Sequence, residues 1–503
     1  MDAIASLTPR VAHDPLVAIG KPPAGVSMVE IRLDLLPGMD VSAAISSSPL
    51  PVLATLRSTA EGGRGPDDPS LRRQVLARAR NAGAALIDLE ADRDLGLLNS
   101  LGLEPERVVL SWHDPSSTPA DLETVAERLM STPARWIKVV PTAGSLRDLA
   151  SVLSLHLTHN RQKPEKRRLL TFAMGSVGLA SRYLSPLLGP PLTYVAWPGA
   201  SAAAPGQLTL RQLERVVGHL HGAPQRLFGV IGADVSGSLS PNLHATGYAH
   251  FGLPFAFLPV SIPDPDELQL VFQPLGETFL DKLGLAVHGW AVTVPYKGPA
   301  AEAATVSAPR VRTAWAANTL LLRKGQILAE NTDADGVVGA LRAAGLQPEG
   351  RSALVQGTGG AARGAAVGLH LAGAQVALRG RSHERTRSTA SALGVDWLAP
   401  DQPVSQGSIL VNATPLGTGA DDTLPFSVDE VSRADAVLDL VYGDAIPRMC
   451  DLASRAGVPY IDGREVLLHQ GIAQFAAMTG RVVPREILRK GLTSARSGAA
   501  AGP

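Results

Sequence analysis

Cysteine occurs once in this chain of 503 residues, at Cys450, which excludes an intrachain disulfide framework and a thiolate-held zinc cluster. A reducing cytoplasm is the compartment this predicts. Net charge is absent as well: 46 Lys and Arg balance 46 Asp and Glu, leaving no electrostatic case for nucleic acid or an anionic membrane as partner. No apolar run reaches the roughly 18 residues of a membrane span, and Met1 to Gly20 lacks the basic start and apolar core of a secretion signal. Internal repeats of solenoid period are missing too. The close histidine pairs, His156 with His159 and His219 with His221, have no carboxylate or cysteine partner in the pattern. They read as helix-surface or loop residues, and no metal site is expected.

What is present is ordinary globular material, 45% apolar and 18% charged, in a length that suits about three domains of roughly 150 residues. From Val26 to His221, short β-branched runs alternate with longer amphipathic ones. Strands are expected at Val29 to Leu33, Pro51 to Leu56, Ala85 to Leu89, Arg107 to Ser111, Trp136 to Val140, Leu169 to Met174 and Leu192 to Ala196. Repeated strand-helix units of this kind predict an α/β chain that opens with a parallel (β/α)8 barrel. His221 to Gln225 breaks the pattern, and a new strand starts at Leu227. An α/β region follows to about Gly336, then a second strand-helix series from Arg351.

Val292 to Lys297 ends in a lysine, and Asn331-Thr332-Asp333 follows one hairpin-like apolar segment. A lysine and an aspartate meeting in a cleft can move a proton. Shortly after, Val355 runs into Gly357-Thr358-Gly359-Gly360-Ala361-Ala362, a strand, glycine turn and helix of the kind that seats a dinucleotide pyrophosphate. The next strand ends in Arg379-Gly380-Arg381-Ser382, where an NAD site would carry an acid. Arg381 and Arg385 there favour the 2′-phosphate of NADP, with bidentate hydrogen bonds available to each. Val411 to Gly417 is a strand stopping at the carboxyl edge of the same sheet, where nicotinamide is expected to lie. Proton relay plus nicotinamide site suggests carbonyl reduction.

These residues resemble the shikimate dehydrogenase family from about Leu227 to Arg481. The motifs that carry the resemblance are Ser238-Leu239-Ser240-Pro241, Val292 to Lys297, Asn318-Thr319-Leu320, Asn331-Thr332-Asp333, the glycine turn, Asn412-Ala413-Thr414 and Gln470. The resemblance implies that Ser238 and Ser240 hold a substrate carboxylate, and that Thr293, Asn318, Asp333 and Gln470 contact ring hydroxyls. It implies that Tyr442 is a further active-site tyrosine, and that Gly357, Gly359, Gly360, Ala361, Arg381, Ser382, Arg385, Asn412 and Thr414 bind NADP(H). Lys297, with Asp333 as partner, is the candidate acid. One departure stands out: Ala291 occupies the place before Val-Thr where the family has asparagine or serine, which puts substrate preference in question.

In a barrel the chemistry belongs at the carboxyl ends of the strands. The polar residues there are Glu30, Arg32, Arg57, Asp88, Glu90, His113, Lys138 and, further on, Arg182. A lysine inside Trp136 to Val140 is costly to bury unless its charge is useful, and a desolvated amine can attack a ketone to form a Schiff base. His113 is placed to remove the adjacent proton and to protonate a departing β-hydroxyl. Together with Glu61-Gly62-Gly63, Ser181-Arg182 and Ala204-Pro205-Gly206-Gln207, the set resembles the type I 3-dehydroquinate dehydratases across about residues 26 to 222. That resemblance implies that Glu61 orients His113, that Arg182 and Gln207 bind the substrate carboxylate and hydroxyls, and that Glu30, Arg32 and Arg57 complete the pocket. Here Ala203 stands where the family has serine, with Ser201 two residues earlier.

The two resemblances imply consecutive reactions: 3-dehydroquinate is dehydrated to 3-dehydroshikimate, which is then reduced with NADPH. The expected layout is a barrel over 1–222, a substrate-binding lobe over 227–336 completed by about 463–485, an NADP-binding Rossmann lobe over 337–462 and a flexible tail over 486–503. Two alternatives remain at this point, a dehydratase fused to a quinate-preferring dehydrogenase and a metabolite-sensing regulator descended from such enzymes.

Overall fold

The computed structural model describes residues 2–9, 14–160, 166–190, 192–417, 423–443 and 448–496. Its first sheet has eight parallel strands: β1 (Asp2–Leu7), β2 (Met28–Arg32), β3 (Val52–Thr55), β4 (Leu86–Glu90), β5 (Val108–Asp114), β6 (Trp136–Pro141), β7 (Leu169–Thr171) and β8 (Leu192–Ala196). They hydrogen-bond in the order β7-β6-β5-β4-β3-β2-β1-β8. The result is a nearly closed barrel, with no ladder between β7 and β8 among the described residues. β1, absent from the expected strands, lies between β2 and β8. Its Ala3, Ile4 and Ala5 are all fully buried. A strand covered on both faces shows no polar alternation by which to recognise it.

Side-chain alternation builds the barrel interior in layers. Ile4, Leu53, Leu86 and Val109 form an apolar floor. Two residues further along the same strands, Ser6, Thr55, Asp88 and Ser111 form a buried polar layer above it. Residues of the opposite parity, such as Val29, Ile31, Ile87, Ile137 and Val139, pack outward against the helices. The helix Leu146–His159 starts in a capping box of Ser145 and Asp148, and Leu210–Val217 in one of Thr209 and Gln212.

The histidine expectation needs correction at His156, which is fully buried. Its Nε2 meets the Ser185 carbonyl at 3.1 Å, because this helix turns His156 toward the neighbouring helix Gly175–Leu188. His159 faces outward and meets Glu123, and His219 meets the Phe255 carbonyl at 3.0 Å.

A second sheet contains β9 (Arg226–Gly232), β10 (Phe255–Ser261), β11 (Val287–Val292), β12 (Val306–Ser307), β13 (Thr319–Arg323) and β14 (Gln326–Glu330), ordered β10-β9-β11-β13-β14-β12. β13 and β14 form the antiparallel hairpin between Lys297 and Asp333. The third sheet is wholly parallel: β15 (Ser352–Gln356), β16 (Gln375–Arg379), β17 (Asp396–Trp397), β18 (Ile409–Asn412), β19 (Ala436–Asp439) and β20 (Tyr460–Ile461). Its order, β17-β16-β15-β18-β19-β20, reverses direction between β15 and β18, leaving a crevice at their carboxyl ends.

After β20 the chain returns to the second sheet, where Leu467, Phe475, Leu488 and Leu492 cluster with Phe228 and Tyr248. The expected flexible tail from 486 is therefore wrong as far as 496, since Arg485–Arg496 is a helix. Leu488 and Leu492, one turn apart, are buried on its inner face, and Arg485 and Arg489 pair with Glu465. Residues 497–503 lie outside the described part. Among the described residues no helix is long and apolar enough to cross a membrane.

Candidate active sites

The mouth of the barrel holds a cavity of about 280 Å³. It brings together Glu30, Arg32, Arg57, Glu61, His113, Lys138, Arg182 and Gln207, whereas Asp88 and Glu90, also expected at the strand ends, do not line it and are bound to Arg57. Lys138 rises from β6 beside Ser111 of β5, and His113 lies two residues further along β5. Burial lowers the Lys138 ammonium to about 8, despite the opposing pull of Glu30 and Asp88. His113 is held well below the ordinary imidazole range, first by burial and then by the surrounding cations Arg57, Lys138 and Arg32. Its Nδ1 lies 2.9 Å from Glu61 Oε2, which fixes the ring and leaves Nε2 for chemistry. Burial drives Glu61 up to about 8, against the Arg57 guanidinium.

The arginines divide by what they already hold. Arg57 donates to Glu61, Glu90, Asp88 and Ser111, a buried network that fixes its position under the cavity. Arg32 is bidentate on Asp34, at 2.9 and 2.8 Å. Arg182 has no carboxylate partner among the described residues. It donates to the Pro205 carbonyl and lies over the Phe172 ring, while its Nε is buried with no partner. Burial lowers its pKa to about 10. A buried guanidinium left uncompensated in a cavity is a receptor for an anion.

Gln207 donates to Ser6 Oγ at 3.0 Å, and Ser6 donates to Glu30, whose other oxygen accepts from Thr55. Ser6 escaped sequence reasoning because β1 did. Ala203 lines the cavity and contributes only backbone, its N–H donating to Gln207 Oε1 and its carbonyl accepting from Arg32. Ser201 is exposed, and its carbonyl accepts from Thr8, so its hydroxyl does not replace the missing one.

A second cleft, of about 590 Å³, lies between the second and third sheets. It is lined by Ser238, Ser240, Thr293, Lys297, Asn318, Asp333, Tyr442 and Gln470. Lys297 Nζ donates to Asp333 Oδ2 at 2.5 Å, and Asn318 Nδ2 donates to Asp333 Oδ1 at 2.9 Å. Gln470 donates to Thr332 Oγ1, and Ser238 is hydrogen-bonded to Tyr442. Gln474, unremarked in the sequence, also lines the cleft: it donates to Thr319 and meets the buried His244. Its neighbours at i−4 and i+1 are Gln470 and Phe475, and its inward direction follows from the helix Gly463–Thr479 being packed on several sides.

At the third sheet's crevice, Gly357 has φ 127°, and a Cβ there would lie 3.0 Å from the Ala413 carbonyl. A Cβ on Gly360 would come within 2.8 Å of Lys297 Cβ, so glycine lets this turn close onto Lys297. Gly359 and Gly360 open the helix Gly360–Leu371, whose first N–H groups suit a pyrophosphate. Ala361 and Thr414 line the cleft. Arg381, Ser382 and Arg385 are exposed at the start of the helix His383–Leu393. No carboxylate pairs with either arginine among the described residues. Arg379, by contrast, is buried and paired with Glu430. Asn412 departs from expectation: it is fully buried, bonds Asp439 and the Leu416 carbonyl, and accepts from Thr414. Its side chain shapes the turn that presents Thr414 and does not line the cleft.

Comparison with known proteins gives two family matches, type I 3-dehydroquinase over residues 5–224 and the shikimate dehydrogenase substrate binding domain over residues 230–320. A chloroplastic bifunctional 3-dehydroquinate dehydratase/shikimate dehydrogenase of Arabidopsis thaliana is 30% identical over 494 residues, covering 92% of this chain and 79% of its own. The shikimate dehydrogenase (NADP(+)) of Acidiphilium cryptum is 36% identical over 258 residues, 51% of this chain and 91% of its own. Among solved structures, the dehydroquinate dehydratase and shikimate dehydrogenase of S. pombe AroM aligns over 98% of both chains, at 25% identity and a TM-score of 0.43.

Proposed function

The chain belongs to the bifunctional 3-dehydroquinate dehydratase/shikimate dehydrogenase family, and from that premise we propose how its two sites divide the work. The carrying observation is the barrel cavity, where a desolvated amine, a neutral imidazole and an uncompensated guanidinium converge. Arg182 takes the substrate carboxylate, and Lys138 attacks the ketone of 3-dehydroquinate. With one proton taken up and one water released, the product is an iminium on Lys138. His113 removes a proton from the adjacent carbon and returns it to the departing β-hydroxyl, which leaves as a second water. Hydrolysis of the conjugated iminium frees 3-dehydroshikimate and the amine. Glu61 keeps His113 oriented throughout.

In the second site, Ser238 and Ser240 receive the carboxylate of 3-dehydroshikimate, and Lys297 hydrogen-bonds its ketone oxygen. Asp333, anchored by Asn318, holds the Lys297 amine in place while Nζ gives its proton to the forming alkoxide. NADPH, when bound, supplies the hydride. The glycine turn, the free helix N-terminus and the unpaired Arg381 and Arg385 fit its pyrophosphate and 2′-phosphate. The chain's single cysteine, Cys450, in no disulfide, agrees with a cytoplasmic enzyme, and its partners are small-molecule substrates.

The test is incubation with 3-dehydroquinate, alone and then with NADPH. A conjugated enone forms without cofactor, and NADPH oxidation follows. Lys138→Ala abolishes the first reaction and leaves reduction of added 3-dehydroshikimate intact. Dehydration by that variant would overturn the assignment of Lys138.

A further inference from the structure

The Lys138 amine has a neighbour that the Schiff-base cycle described above does not use. The face of the Tyr194 ring lies 3.8 Å from Nζ. Tyr194 points into the barrel from β8, is buried, and lines the cavity. Its hydroxyl is buried with no hydrogen-bond partner. An orphaned hydroxyl is a cost, so the ring, not the polar end, is what this position contributes.

Charged and titratable groups surround the amine: Glu30 and Arg32 from β2, Arg57 after β3, Asp88 from β4, the neutral His113 from β5 and Arg182 from the helix after β7. The acids are already engaged. Glu30 accepts from Ser6 and Thr55, and Asp88 accepts from Arg57 and Ser111. No carboxylate forms an ion pair with Lys138 among the described residues. The nitrogen must be neutral to attack but carries positive charge in each iminium that follows. A carboxylate in contact would pin the starting ammonium and accept its proton. An aromatic face attracts the cation without competing for the proton.

We propose that Tyr194 is a positioning residue of the dehydratase, its ring face holding the Lys138 nitrogen and stabilising the iminium into which it is converted. The inference rests on Lys138 being the Schiff-base lysine, and the experiment separates the two. Enzyme turning over 3-dehydroquinate is quenched with borohydride, and the reduced adduct on Lys138 is quantified by peptide mass spectrometry in wild type, Y194F, Y194L and Y194M. Expected in the two ring-free variants are a fall in kcat of about tenfold, less trapped adduct, and an acid limb of kcat/KM moved to lower pH. Y194F stays within about twofold in all three. Fluorinated phenylalanines at position 194, which keep the shape and weaken the ring face, lower kcat progressively with fluorine number. Wild-type kcat and trapping in Y194L and Y194M, or no trend with fluorination, would overturn the role of the ring. Equal losses in Y194F and Y194L would move the role to the hydroxyl. Absence of any adduct on Lys138 in wild type would instead overturn the Schiff-base reading itself.

Discussion

Glu267 of the second half accepts the backbone N–H of Leu146 in the barrel at 2.7 Å. Leu146 is the first residue of the helix that follows β6, the strand that carries Lys138. The first N–H groups of a helix have no partner of their own, and a carboxylate satisfies them while complementing the helix dipole. Glu267 is 1% exposed and also meets the Arg147 N–H. One half of the chain thus caps the helix that follows the Lys138 strand of the other.

Replacing Glu267 with alanine leaves that helix start buried and unsatisfied, at an expected cost of about 1 to 3 kcal/mol. Thermal unfolding should show a lower Tm for E267A and a smaller loss for E267Q, which keeps an acceptor. An unchanged Tm in E267A would show that the cap is dispensable.

Lys297→Met and Asp333→Asn test the proton relay. Positioned proton transfer contributes about 10²- to 10⁴-fold, so reduction of 3-dehydroshikimate is expected to lose at least about 10² in kcat, with dehydration unchanged. Asp333→Asn should retain more activity than Lys297→Met, because Asn318 and the amine still find an oxygen there. Equal dehydrogenase rates in Lys297→Met and wild type would remove Lys297 from the chemistry.

Arg381 and Arg385 set cofactor choice if they grip the 2′-phosphate. Charge-assisted bonds of this kind amount to about 1.5 to 3 kcal/mol, so R381A/R385A should raise KM for NADPH more than about tenfold while leaving KM for NADH alone. A parallel rise for both cofactors would show that the arginines do not read the phosphate.

Most of the residues that line the two cavities were legible because they sit at a strand end or in a short motif, where type and spacing carry the signal. What was not legible depends on packing. β1 hides because Asp2-Ala3-Ile4-Ala5-Ser6-Leu7 becomes a strand only through its ladders to β2 and β8, and Ser6 hides with it. The helix Arg485–Arg496 looks polar until Leu488 and Leu492 find the second sheet. Asn412 matches a cofactor motif, yet its amide is committed to Asp439 and the Leu416 carbonyl. Local pattern names the side chain; tertiary contacts decide where it points.

Two buried histidines, one in each half, give a stability signature in acid. Burial lowers His156 and His244 to about 4. Between that value and about 6.5 the unfolded chain binds more protons than the folded one. The stability these neutral histidines preserve is therefore fully present above pH 6.5 and lost as pH falls toward 4, by about 2 to 3 kcal/mol each. Denaturant unfolding at pH 7 and pH 5 measures it. H156N and H244N should each show a smaller drop between the two pH values than wild type, even if less stable at pH 7.

Ala291 bears on the remaining question of substrate. It lies on β11 beside Thr319, faces the second cleft, and offers a methyl group where the resemblance to the shikimate dehydrogenases implies an amide or hydroxyl. The neighbouring Thr293, Asn318 and Gln470 also line the cleft and would still be available to ring hydroxyls. One lost bond to a neutral hydroxyl is worth about 0.5 to 1.5 kcal/mol, a factor of about two to twelve, which is too little to change the reaction. Wild-type enzyme should therefore oxidise shikimate faster than quinate, and A291N should raise kcat/KM for shikimate by up to about tenfold. Steady-state rates on both acids measure this. Faster turnover of quinate by wild type, reversed in A291N, would make Ala291 the determinant of a quinate-preferring enzyme.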